Sequence, residues 1–364
     1  MVTNHINKEK ETDAQKTLYT LIGGYTGDND RGIEVYSFDP NTGKLSYISQ
    51  SPDVESPSYL CVDTTGKFVY AVSEQQHYGE AYAYSFDHHN AQLKFINKQA
   101  VNGTAACYIS VDTKRKHVFV TNYQSGSLAV LPVNDDGSLL PLRQHVQKTG
   151  SSVDVERQDG PHLHTAFLSP DEKHLLFTDL GTDEIHSSRY HSEAHLPLSS
   201  VSVTGVKPGS GPRHVDFSKD GRFVYVVTEL SGDVLVHEYN DGHLKLIQTI
   251  SMLTNNFKGE AGGGDIIMSP NGLTLYASNR GDANEIIAYS IDQQTGWLTY
   301  LQRKSCGGKS PRNLSINPAG NYLLVANQES DNVSVFDLDT ETGKIGNNVY
   351  QLLTTQPSCI KFIA

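Results

Sequence analysis

Seven copies of one pattern, each about fifty residues long, run the length of this chain. One reads GPHLHTAFLSPDEKHLLFTDLGTDEIHSSRY from Gly160, another GPRHVDFSKDGRFVYVVTELSGDVLVHEYNDGHLKL from Gly211, and another SPRNLSINPAGNYLLVANQESDNVSVFDLDTETGKI from Ser310. Each holds several short alternating strands. A unit of that size cannot bury its apolar faces alone, so neighbouring copies must stack around an axis.

Within a copy, a small or proline-containing turn leads into a first strand, such as SPSYLCVD from Ser56. A tight turn follows (SPDEK, SKDG, SPNG or NPAG), where Asp, Asn and Gly tolerate the required backbone angles. The second strands, among them HVFVTNY, RFVYVVTE and YLLVANQ, are apolar at nearly every position, which predicts burial on both faces. A third strand such as DVLVHEY leads to a fourth that alternates and is more polar, as an outer edge should be. The C-terminal QPSCIKFIA supplies a lone first strand, and LYTLIGGYTGDNDRGIEVYSFDPNTGKLSYIS near the N-terminus supplies strands two to four. Together they predict a seventh blade made from both chain ends, which closes the ring and hides two sheet edges.

The fold class expected is therefore all-β: a seven-bladed β-propeller with four antiparallel strands per blade, over residues 17–364. Residues 1–16 are polar and are expected to form a mobile tail. Four strands per period and the split repeat argue against a sandwich pair or a solenoid. A single tryptophan, Trp297, and the absence of Trp-Asp repeats exclude the WD40 type.

A net charge of -12 argues against nucleic acid or an anionic membrane as a partner. No run of about 18 apolar residues and no apolar signal region is present, so a cytoplasmic location is expected. Cys61, Cys107, Cys306 and Cys359 form no C-x-x-C pair and read as reduced, mostly buried thiols. No cofactor motif occurs. AGGGD at Ala261 to Asp265 lacks the lysine and the helix of a phosphate loop and reads as the start of a blade. His191 and His195 fall in a hairpin rather than on a helix, so no metal is expected. No feature specifies an oligomeric state.

In a four-stranded meander, the start of strand one lies beside the end of strand two, and the connections between blades share that face. One mouth of the ring should therefore collect His162, His164, Arg213, His214 and Arg312 from strand-one starts. From strand-two ends it should collect Tyr25, Glu74, Asn122, Tyr123, Asp179, Glu229, Asn279, Arg280, Asn327 and Gln328. The long connections 143–160 and 251–264 cross the same face. Asp179, Asn279 and Asn327 suit a structural role, tying neighbouring blades together. Three arginines converging in a semi-buried funnel suit carboxylate or phosphate, and Glu and His can move protons. The copies are unequal: blades three, four and five carry His, Arg and Glu where blades one, two and six carry mostly neutral groups.

At these residues the chain resembles the seven-bladed propeller lactonase family, which includes cycloisomerase-type 6-phosphogluconolactonases and 3-carboxy-cis,cis-muconate cyclases. The marks are GGYT (Gly23 to Thr26), GPHLH (Gly160 to His164), GPRH (Gly211 to His214), VTE (Val227 to Glu229), ASNRG (Ala277 to Gly281), PRN (Pro311 to Asn313) and ANQ (Ala326 to Gln328), and the resemblance spans Leu18 to Ala364. It implies that His164 or His162, Arg213, Glu229 and Arg280 are catalytic. Tyr25, His162, His214, Asn279, Arg312 and Gln328 are expected to bind a small anionic substrate. The chain departs from the pattern at AGGGD, which has no Pro-Arg element, so that wall of the pocket is expected to be less charged. The reaction implied is hydrolysis of a sugar lactone, foremost 6-phosphogluconolactone. Arginines would hold the phosphate and the oxyanion, and Glu229 or a histidine would take a proton from water. A muconate-type cycloisomerase and a non-catalytic docking platform are the alternatives.

Overall fold

The computed structural model describes residues 17–26 and 31–363; the N-terminal segment 1–16, expected to be a mobile tail, lies outside the described residues. Seven separate four-stranded sheets are present, each antiparallel and each running in chain order from first strand to fourth. Blade one starts at Leu60–Val62 and ends with Gln92–Ala100. Blade two runs from Ala106–Val111 to Gln144–Gln147, blade three from Leu163–Leu168 to Leu198–Gly205, and blade four from Pro212–Phe217 to His243–Ser251. Blade five runs from Gly263–Met268 to Leu298–Ser305 and blade six from Pro311–Ile316 to Ile345–Leu353. In blade seven, Pro357–Ile363 pairs with Leu18–Gly24, followed by Ile33–Phe38 and Leu45–Ser51. Ile360 lies opposite Ile22 and Lys361 opposite Leu21, so the two chain ends close the ring with ordinary ladder hydrogen bonds.

The apolar pattern is realised strand by strand. Every residue of His117–Asn122, His174–Asp179, Phe223–Thr228, Thr274–Asn279 and Tyr322–Asn327 is buried, because these second strands lie between two neighbouring blades. Fourth strands such as His243–Ser251 and Ile345–Leu353 alternate between half-buried and exposed positions at the rim. The core accordingly divides into clusters between adjacent sheets. Polar ties recur at these seams. Tyr70, Tyr225 and Tyr276, one on each of three second strands, donate to the carbonyls of Gly137, Gly296 and Gly343 in the following blade, at 3.2, 3.1 and 2.8 Å. A buried phenol that finds an acceptor adds specificity to the packing of its ring.

One irregularity positions the site. In blades two to six the pairing of strands one and two shifts register at the mouth end, around Cys107, His164, Arg213, Gly264 and Arg312. A bulge leaves the extra residue out of the ladder and turns its side chain. The same device recurs in these five blades and brings Cys107, His164 and Arg312 to the central cavity, while Arg213 reaches Glu229 from behind its wall. Gly211, immediately before the bulge of blade four, sits at φ 65°, in the left-handed region where glycine carries no Cβ penalty.

Burial leaves several histidines neutral. His186 is pushed down to about 3, and His214 and His237 to about 4, chiefly by loss of water around the charged form. Each regains an ordinary value near 6.5 on unfolding, so the unfolded chain binds more protons at intermediate pH. Their contribution is present above about pH 6.5 and lost as pH falls toward 4. Asp216, which burial raises to about 6, acts oppositely and loses stability as pH rises from about 4 to 6. His117, also held near 4 by burial, and His164 and His174, also lowered by burial, act in the same sense as these histidines, whereas burial raises Asp179 and Glu285 as it does Asp216; the histidines outweigh them, so the melting temperature is expected to fall by at least about 5 °C between pH 7 and pH 4.5. Calorimetric scans across that range check it, and a flat profile would contradict it. Among the described residues no helix is long and apolar enough to cross a membrane.

Candidate active site

At the bulged end of the ring lies a cavity of about 420 Å³ lined by Tyr25, Glu74, Cys107, Tyr123, Arg157, His164, Glu229, Arg280 and Arg312. All seven blades contribute, with Arg157 added from the connection between blades two and three. That volume is in the range of small-molecule sites. A second depression of equal volume, beside Arg222, Tyr239 and Trp297, sits at hairpin turns; its one guanidinium is already paired with Asp220 at 2.6 Å. Charged groups converge only on the first.

Glu229 is the centre of the cluster. Arg157 Nη2 donates to its Oε1 at 2.5 Å, Arg213 Nε donates to Oε2 at 3.1 Å, and Arg280 Nη2 lies 2.7 Å from Oε2. Burial alone would raise this carboxyl, but Arg280, Arg213 and Arg157 outweigh it and hold it well below the usual carboxylate range. Arg213 is also pulled down, to about 10, by burial and then by Arg280 and Arg312. Both partners of one ion pair thus shift downward, Glu229 through its three cations and Arg213 through burial first and its neighbouring cations second. Arg213 stays charged at neutral pH, and its Nη1 donates to the Gly264 carbonyl.

Across the cavity, Arg312 Nη2 donates to the Tyr25 hydroxyl at 2.6 Å, and that hydroxyl donates to Glu74 Oε2 at 2.8 Å. Arg312 also stands over the Tyr25 ring and donates to Gln328 Oε1. His164 projects from its bulge between these groups. Burial, followed by Arg213, His214, Arg312 and Arg280, lowers its pKa well below the ordinary value, so it is a neutral imidazole. Its buried Nδ1 has no hydrogen-bond partner.

The two candidate histidines of blade three are thus placed differently. His164 lines the cavity, whereas His162 stacks on Tyr123 at 4.5 Å and donates from Nδ1 to the Tyr123 carbonyl. His214 packs beneath His164, against Tyr59 and Tyr108, and shares a 2.6 Å hydrogen bond with Asp265. It lies outside the cavity lining. Arg213 is likewise behind the wall, reaching the cavity through Glu229. Asn279 is fully buried and its Oδ1 accepts from the Gly262 amide. Asp179 similarly accepts from the amides of His162 and Gly181, so these side chains close the start of their own blade rather than bridging to the next. Asn327 reaches the Cys306 carbonyl in the preceding connection.

Two sequence expectations are corrected. The AGGGD wall is not sparse in charge: the Gly263 and Gly264 carbonyls receive Arg280 and Arg213, and a Cβ on Gly264 would come within 2.5 Å of Ser278 Oγ and the Pro311 carbonyl. Only glycine fits at that point, between blade five and the first strand of blade six. Blades one and six also supply charge, through Glu74 and Arg312. Arg157 was absent from the sequence expectation because it lies in a connection with no repeat to place it. The length of 143–160 was the available signal. Among the described residues no group of three or more His, Cys, Asp or Glu side chains is placed to hold a metal ion.

Residues 19–362 match the family model described as lactonase, 7-bladed beta-propeller. A Formosa agariphila 6-phosphogluconolactonase is 32% identical, covering 94% of this chain and 98% of that protein. A Bacillus subtilis 6-phosphogluconolactonase is 30% identical, covering 94% and 97%. Among solved structures, a periplasmic gluconolactonase of Pseudomonas aeruginosa superposes with a TM-score of 0.91 at 35% identity, covering 95% of this chain and 99% of that one. With the same seven blades and with relatives aligned from end to end, the chain belongs to the seven-bladed β-propeller lactonase family.

Proposed function

We propose that the protein is a lactonase that hydrolyses a phosphorylated sugar lactone, 6-phosphogluconolactone foremost, to the open acid. The observation that carries this reading is the surplus of guanidinium groups around Glu229 in a cavity sized for one sugar. Arg280 and Arg312 line the cavity and are the donors for the negative charge that develops on the carbonyl oxygen when water adds. Glu229 accepts the proton of that water and returns it to the ring oxygen as the ester bond breaks. His164, uncharged at neutral pH, orients the water or the sugar through a single hydrogen bond. Tyr25, fixed by Glu74 and Arg312, borders the same space. Names of the relatives favour this substrate over a tricarboxylate.

The test is the rate of 6-phosphogluconolactone hydrolysis, followed by coupled oxidation of the product, with 3-carboxy-cis,cis-muconate assayed in parallel. Acceleration of the first above its spontaneous rate is expected. Turnover of only the muconate would replace the reading with a cycloisomerase, and turnover of neither would remove the enzymatic reading.

A further inference from the structure

Four arginines surround the cavity, and they are not equally committed. Arg213 is 2% exposed and Arg280 13%, whereas Arg157 is 45% exposed although its tip touches Glu229. Its backbone is nevertheless fixed. Asp154 Oδ1 accepts from the amides of Glu156 and Arg157 at 3.0 and 3.1 Å, an Asx turn. The next residue, Gln158, is fully buried and donates to the Leu180 carbonyl and to Asp183 Oδ2, each at 2.8 Å. Asp183 also accepts from Ser152 Oγ and from the amides of Gly209 and Gly211 at the start of the next blade. The loop is thus a built platform that holds a long, half-exposed cationic side chain at the rim.

Resting on the hydrolase reading above, we propose that Arg157 is the specificity group for the phosphate of the substrate. Its tip donates to Glu229 Oε1 and to the Tyr123 hydroxyl, the latter 3.2 Å away. A dianionic phosphate entering at the rim offers a stronger bidentate partner than a carboxylate oxygen already surrounded by cations. Transfer of Arg157 to the phosphate uncovers Glu229 Oε1. That oxygen then accepts the proton of the attacking water, while Arg213 and Arg280 stay on Oε2. Recognition of the phosphate and release of the base become one event, so binding energy from a non-reacting part of the substrate assists the chemical step. An unphosphorylated lactone leaves Arg157 in place.

The experiment compares wild type, Arg157→Gln and Arg157→Lys on 6-phosphogluconolactone and on glucono-1,5-lactone. In Arg157→Gln the ratio of kcat/KM for the phosphorylated over the unphosphorylated lactone is expected to fall at least about tenfold, with Arg157→Lys between it and wild type. The acid limb of kcat/KM should move to higher pH in Arg157→Gln, because removing one of three cations raises the carboxylate's proton affinity. A merely structural loss would lower both substrates equally and leave the limb in place; either result overturns the proposal. Calorimetric titration with 6-phosphogluconate and gluconate separates this from the hydrolase reading. If wild type hydrolyses neither lactone yet prefers the phosphorylated acid, and Arg157→Gln abolishes that preference, the specificity role stands and the hydrolase reading falls. If the variant keeps the wild-type preference, the specificity role falls.

Discussion

Glu229→Gln is expected to lower kcat for lactone hydrolysis by about 10²–10⁴, the range for losing a positioned general base. The amide is isosteric but neutral, and it leaves Arg157, Arg213 and Arg280 without the carboxylate they share. Two further effects are expected, and the second distinguishes this cause from simple misfolding. Uncompensated buried cations destabilise the fold, by about 3–5 kcal/mol where a buried pair is broken outright. The freed guanidiniums should bind an anionic product more tightly, so the Kd for 6-phosphogluconate is expected to fall while turnover collapses. Steady-state kinetics with calorimetric titration of the product check both. Parallel loss of binding and turnover would show that Glu229 only supports the architecture.

The second large effect is expected at Arg213. Its side chain is among the largest fully buried ones, and it joins Glu229 to the Gly264 carbonyl across two blades. Arg213→Ala removes both donors, opens a void, and strips a counter-charge from a carboxylate that has already been taken out of water. A loss of about 3–5 kcal/mol is expected, which at about 2–4 °C per kcal/mol is a fall of roughly 10 °C in Tm. Arg213→Lys keeps the charge but cannot span both acceptors. It should recover part of the stability and little of the activity. Thermal scans paired with kcat measured well below the transition separate the two losses. Equal recovery of both by lysine would mean that Arg213 acts through charge alone.

The architecture could be read from the chain because each blade repeats the same conflict between apolar strands and polar turns. The split seventh blade was legible because QPSCIKFIA is a first strand without its second, and LYTLIGG a second strand without its first. The mouth was legible for a related reason: His164, Arg213, Glu229, Arg280 and Arg312 interrupt runs that are otherwise apolar. Which neighbour faces the cavity was not legible. Alternation assigns His162 and His164 to one side, yet the bulge beside Leu163 sends them to different surroundings. The corresponding bulge of blade four, at Arg213, places that side chain against Glu229 while His214 turns inward to Asp265, a partner about fifty residues away in the next blade. Arg157 was hidden for another reason. Its position depends on Asp154, Gln158 and Asp183 holding an irregular loop, and such a network carries no period.

The charge arithmetic of the mouth also emerges only in three dimensions. The chain is acidic overall, yet four arginines face two carboxylates here, Glu74 and Glu229. That local surplus lowers the proton affinity of Glu229 and adds to the larger effect of burial on His164. An anionic substrate relieves the imbalance, so the charge of the site complements what it is proposed to bind.

A crystal structure with 6-phosphogluconate soaked into the wild-type protein tests the account most directly. The expected result places the carboxylate end between Arg280, Arg312 and His164, and the phosphate on Arg157, withdrawn from Glu229. Density for the ligand at the Arg222 and Trp297 depression instead, or a mouth that stays empty at saturating ligand, would contradict it.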